Sequence, residues 1–357
     1  MAIKIKLPPA DKVGSSNKPI LVEYSLVAIF DPINPLESNL KPRVLGPIID
    51  KISITFDIKL KGHKEGIVDL FAATVAAGGA FAEASSSTKA KSLYAINALL
   101  TEPTSGQVIL IQMGRKKKKS KLKTVTLQKP ISAQKNLSFM RLEFNPDKLG
   151  PKGMAFLKKE LAQQFLHQYS WVDIANKGRV TRIDLAADLL YVRSDQLIYA
   201  SASGGKSMAH YGVSGALETA YLGKKSKSAK ATIYNKRQEQ KDKGLQAEFG
   251  SINHTRIERH ASTLRPLVKL QELKNPFESL SIVSPLKAIQ PPELHHHWLM
   301  FLDCCRLRGV SKALALLPTD ELREKYKDAL AKSDEEIWQP KKIWENWPKR
   351  LAKSGLL

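Results

Sequence analysis

The 357 residues hold only two cysteines, the adjacent pair Cys304 and Cys305. Neighbouring cysteines rarely bridge, because a disulfide between them is strained. This excludes a disulfide scaffold and suits a reducing compartment, so the cytoplasm is the expected location. Long apolar runs are also missing. The most notable, Leu70 to Ala82, has 13 residues and is broken by Gly78-Gly79, whereas a bilayer span needs about 20. Met1 to Ala10 has no apolar core ahead of Pro8-Pro9, so neither a secretory signal nor a membrane partner is expected. Acid is scarce too. From Pro103 to Leu142 there is no acidic residue against ten basic ones.

Positive charge is what the chain has in excess. Lys and Arg number 57 against 34 Asp and Glu, a formal charge of +23. So large an excess points to a polyanion, and nucleic acid leads once membrane signals are missing. Hydrophobic residues at 43 % can still bury a real core. Composition divides the chain into a Pro- and Lys-rich extension over 1–48, a main domain over 49–280 and a helical region over 281–357.

Seven charges crowd into Arg115, Lys116, Lys117, Lys118, Lys119, Lys121 and Lys123. Such a run reads either as a solvated hairpin tip or as a loop that grips phosphates, and the lack of nearby acid favours the second. Lys224 and Lys225 open another basic turn, between strand candidates Glu218 to Gly223 and Ala231 to Lys236. The Ala-rich stretch Glu65 to Leu100 reads as helix, as do Gly153 to Tyr169, Glu293 to Arg308 and Thr319 to Lys332. Ser201 to Gly215 reads as loop and Leu280 to Pro292 as a linker. Strands are expected at Ile49 to Leu60, Val108 to Met113, Phe139 to Asn145, Arg179 to Tyr191 and His254 to His260.

Four of these strands share one pattern. Successive side chains of a strand point to opposite faces. Leu142 and Phe144, Ile183 to Leu189 in alternation, Ile233 and Ile257 form an apolar face. The other face gathers Arg141, Glu143, Arg182, Asp184, Asp188, Tyr234, Lys236, Arg256, Glu258 and His260. Alternating Arg and Glu can simply be cross-strand salt bridges. Asp184 and Asp188, however, are like charges near further carboxylates and call for a cation among them. Carboxylates suit hard cations such as Mg²⁺ or Mn²⁺, a tyrosine could attack phosphorus, and Arg and Lys would hold phosphates. The expected fold is α+β, a central antiparallel sheet with helices on one face, the catalytic face on the other, and a helical C-terminal part.

Met140 to Leu149 (MRLEFNPDKL), Thr181 to Leu189 (TRIDLAADL), Glu218 to Lys243 with its IYNK, and Thr255 to Glu258 (TRIE) resemble, in order and spacing, the replication initiators of small rolling-circle plasmids. That family, also found in phages, uses a single catalytic tyrosine and has no histidine metal motif. The resemblance implies a homodimer that binds a double-stranded origin and nicks one strand through a 5′-phosphotyrosine, with a host helicase as a further partner. The IYNK segment places the nucleophile on Tyr234, with Tyr221 as runner-up. Lys236, Arg182 and Arg256 would hold flanking phosphates. Glu143, Asp184, Glu258 and Asp188 would bind the divalent ion, and the C-terminal helices would read the origin. The alternative is a non-catalytic DNA-binding regulator on the same fold. His295-His296-His297 reads as a helix start rather than a metal motif, and Gly204-Gly205-Lys206-Ser207 lacks the spacing of a phosphate loop.

Overall fold

The computed structural model describes residues 42–57, 75–76, 81–84, 94–115, 139–164, 170–201, 207–212, 217–223, 231–261, 263–284, 295–334 and 337–357. Strands β1 (Arg43–Asp57), β2 (Phe81–Glu83), β3 (Tyr94–Thr101), β4 (Val108–Arg115) and β5 (Phe139–Phe144) come first. Helices α1 (Pro146–Gln164) and α2 (Trp171–Lys177) lead into β6 (Arg179–Leu190), β7 (Ile198–Ser201), β8 (Ser207–Tyr211), β9 (Leu217–Leu222) and β10 (Ala231–Asn235). Helix α3 (Lys236–Asp242) precedes β11 (His254–Ala261), β12 (Arg265–Pro266) and β13 (Leu280–Val283). Helices α4 (His295–Arg308), α5 (Val310–Ala315), α6 (Asp320–Asp334), α7 (Pro340–Glu345) and α8 (Trp347–Lys353) complete the chain.

The strands build an antiparallel sheet in the order β2-β3-β4-β5-β1-β6-β11-β10-β9-β8, with β12 also on β6 and a separate β7–β13 ribbon. One face is apolar because alternation makes it so. Ile52, Ile54, Leu142, Ile183, Leu185, Ile233 and Ile257 are all buried there. Helix α1 covers this face with Met154, Leu157 and Leu161, three residues spaced to share one helical side. The α+β arrangement expected from sequence is the one observed.

Three local readings are corrected. Residues 81–83 and 94–101 of the Ala-rich stretch are strands, not helix. In YAINALLT, Ile96, Ala98 and Leu100 are buried in alternation, and pairing with β4 outweighs alanine's modest helix preference. Residues 207–211, read as loop, form the edge strand β8. The linker reading fails at Leu280–Val283, which pairs with β7.

The C-terminal region divides in two. Helices α4 to α6 form their own core around Trp298, Phe301, Leu302 and Tyr326, closed by Ile198 and Val283 of the ribbon. The tail instead joins the main core through Ile337, Trp338, Ile343, Trp347 and Leu351. The Trp347 and Trp338 indoles donate to the Leu270 and Leu280 carbonyls at 2.8 and 2.9 Å. A boundary at 280 therefore separates segments that fold together. At the other end, β1 begins at Arg43, inside the stretch read as extension. Burial pushes the Cys305 thiol up to about 12, as expected for a packing residue rather than a reactive one. Among the described residues no helix is long and apolar enough to cross a membrane.

Candidate active site on the polar face of the sheet

Register decides which polar side chains meet. Arg256 lies opposite both Asp188 and Tyr234, and Glu258 lies opposite Thr232. Ser53 lies opposite Glu143 on one side and Arg182 on the other. The polar face read from alternation is thus a real surface. It opens into a cleft of about 700 Å³ lined by Glu143, Glu258, Tyr221, Tyr234, Lys236 and Lys51 among others.

Tyr234 lies at the centre of the cleft's hydrogen bonds and charges. Its hydroxyl donates to Glu258 Oε1 at 2.5 Å. Burial, then the Glu258 charge and hydrogen bond, push the phenol well above its ordinary value. Burial likewise raises the Glu258 carboxyl, with Asp50 adding to the rise and the Tyr234 hydrogen bond and Arg256 opposing it. Both shifts disfavour the charged forms, and the proton of this hydrogen bond rests on the tyrosine oxygen. The Lys236 ammonium stands 5.6 Å from the centre of the Tyr234 ring and pairs with Glu239 at 2.8 Å. Asn235 caps α3 by accepting the Gln238 N–H, which holds Lys236 at the first turn beside the tyrosine. Tyr221 differs. Its ring packs edge-on against His210, with centroids 5.6 Å apart.

The four expected ion ligands do not converge. Asp188 is buried and accepts two N–H groups from Arg256 at 2.7 and 2.8 Å. Burial pushes its carboxyl up, but Arg256 and His254 together outweigh burial and hold it below the ordinary value. His254 Nε2 lies 3.1 Å from the same carboxylate, off the hydrogen-bonding direction. Asp184 accepts Arg182 at 2.5 to 3.0 Å and contacts His260 Nδ1 at 2.6 Å. Glu143 accepts from Arg141 and Ser53. Among the described residues no group of three or more His, Cys, Asp or Glu is placed to hold a metal ion. Guanidinium groups supply the cations that Asp184 and Asp188 require. Arg256, expected to grip phosphate, is instead buried against Asp188, with Asp50 3.5 Å away. Arg182 is half-exposed and keeps an open edge, while its other edge is taken by Asp184.

Asp50 was not singled out from the sequence. Strict alternation back from Ile52 places it on the apolar side. A bulge in β1 intervenes, since Ile49 and Lys51 oppose the consecutive residues Leu185 and Asp184. The extra residue is Asp50, and the bulge turns it into the cleft. Asp147 accepts the Ile49 N–H at 2.6 Å and ties the bulge to the start of α1.

Arg115 closes β4. Lys116, Lys117, Lys118, Lys119, Lys121, Lys123, Lys224 and Lys225 lie outside the described residues. In the C-terminal helices, Arg306 donates to the Asp195 carbonyl and Arg323 to the Leu317 carbonyl. Both are used within the fold, whereas Arg308, Lys312 and Lys325 are exposed.

A stretch of 103 residues is 37 % identical to a curated replication initiation protein of Staphylococcus aureus and covers 29 % of each chain. A second S. aureus protein of that name is 34 % identical over 119 residues, 33 % of this chain and 34 % of its own length. No family model matches the chain. The chain is thus similar to replication initiation proteins over a match that spans 29–34 % of these relatives' length.

Proposed function

We propose that the chain is a rolling-circle replication initiator that nicks one strand of a double-stranded origin through Tyr234. The carrying observation is the Tyr234–Glu258 hydrogen bond of 2.5 Å in a cleft with lysines on its walls. Tyr234 Oη attacks the scissile phosphorus while Glu258 takes its proton. The bond from phosphorus to the 3′ oxygen breaks, leaving the 5′ phosphate on the tyrosine. The freed 3′ oxygen gains the proton Glu258 accepted, so one phosphoester replaces another with no net proton released. Lys236 and Lys51 offset phosphate charge at the cleft, and Arg182 offers its open edge.

The described carboxylates do not form an ion cage, so no step here runs through Mg²⁺ or Mn²⁺. Action as a homodimer, with a host helicase following, rests on the family resemblance. A supercoiled-plasmid nicking assay tests the reading. Wild type is expected to convert plasmid carrying the cognate origin to open circles and Tyr234→Phe is not, and a parallel chelator arm decides whether a divalent ion is needed. Equal nicking by Tyr234→Phe would overturn the assignment.

A further inference from the structure

Beyond the cleft, the sheet runs on for two strands to β8, the last strand on that side among the described residues, and its polar face changes character there. Tyr234 on β10 lies opposite Thr219 on β9, which lies opposite His210 on β8. The adjacent row runs Thr232, Tyr221, Met208. Cross-strand partners share a face, so Tyr221, His210 and Met208 stand on the same side as the nucleophile. His210 is exposed, Met208 is 47 % exposed, and Tyr211 at the strand's end is 50 % exposed. Among the described residues β8 ends the ladder. Apolar and aromatic groups exposed on a sheet edge invite aggregation, and here they continue directly from the cleft through Tyr221, which belongs to both.

Resting on the proposed nicking function, we infer that the β8–β9 edge is a stacking platform for unpaired bases flanking the scissile phosphate. A tyrosine nucleophile can reach a phosphate in line only where the strand leaves the duplex stack. Unpaired bases then expose apolar faces, which flat side chains can cover whatever the sequence. The occupant is single-stranded rather than duplex nucleic acid because a duplex buries its base faces and offers the platform only sugar and phosphate. Lys51, Lys236 and Lys243 line the adjoining cleft, paired there with Glu143 and Glu239, and would exchange these carboxylates for the backbone phosphates of the same strand.

The test uses the full chain as Tyr234→Phe, so that binding is read without cleavage. An oligonucleotide carrying 2-aminopurine beside the nick position reports stacking by its quenching, and anisotropy gives affinity for single strand and duplex. Quenching on binding is expected. Tyr221→Leu with His210→Leu should relieve it and weaken single-strand affinity by roughly 5- to 150-fold, the worth of one stacked base, with duplex affinity unchanged. Tyr221→Phe should keep both signals, which separates stacking from a folding defect. Absent quenching with the platform intact overturns the inference, as does equal loss on duplex. Loss of self-association in sedimentation, with single-strand affinity intact, would assign the edge to a second copy and overturn it too. Failure of the nicking reading shows separately, as a covalent adduct formed by Tyr234→Phe.

Discussion

A buried tyrosine is a poor nucleophile unless something takes its proton, and Glu258 is placed to do so. Because burial raises the Glu258 carboxyl, the rate of nicking should rise with pH through a value above the ordinary carboxylate range, where Glu258 ionises. Glu258→Gln should lose that rise and slow nicking by about 10²- to 10⁴-fold, the usual worth of general base catalysis. A pH–rate profile of the two proteins checks this. Asp188 makes the contrasting case. Its folded value is depressed, so its contribution to stability is present at neutral pH and is lost as pH falls through that value. Asp188→Asn leaves the buried Arg256 charge without its partner, which should cost about 3–5 kcal/mol near pH 7. The gap should shrink below about pH 4, where Asp188 of the unfolded chain begins to protonate while the folded one still holds its charge. Urea unfolding with and without chelator measures it, and a loss present only when metal is supplied would restore the ligand role for Asp188.

At the scale of elements, the two tryptophan-centred cores make separable predictions. Trp298 anchors α4 to α6 and Trp347 pins the tail to the main core. Trp298→Ala should cost about 3–5 kcal/mol and release hydrogen-exchange protection over 295–334 while the sheet stays protected. Trp347→Ala should lower protection in β1 and the 267–272 turn as well. The central strands were legible in the sequence because a half-buried sheet writes its two faces as alternation, as in RIDLAADL. Strand β3 was not, because Ala95 and Ala98, three apart in an Ala-rich stretch, satisfy a helix pattern as readily as a strand. Ion pairs such as Arg256–Asp188 were illegible for another reason, since they depend on register between strands 68 residues apart. Asp50 was hidden by a bulge that alternation alone does not reveal.

Over the whole molecule, a charge of +23 makes binding steeply salt-dependent if lysines touch phosphates. Neutralising Lys116 to Lys119 should flatten the log affinity against log salt slope on duplex DNA by about 0.9 for each lost contact. An unchanged slope would leave that run as a solvated tip. The central claim concerns one oxygen atom, and the most direct measurement is mass spectrometric mapping of the covalent adduct formed on a cognate origin. The adduct peptide should carry the DNA 5′ phosphate on Tyr234, in the sequence ATIYNK. A phosphate on Tyr221, or nicking that leaves no protein-linked DNA, would contradict it.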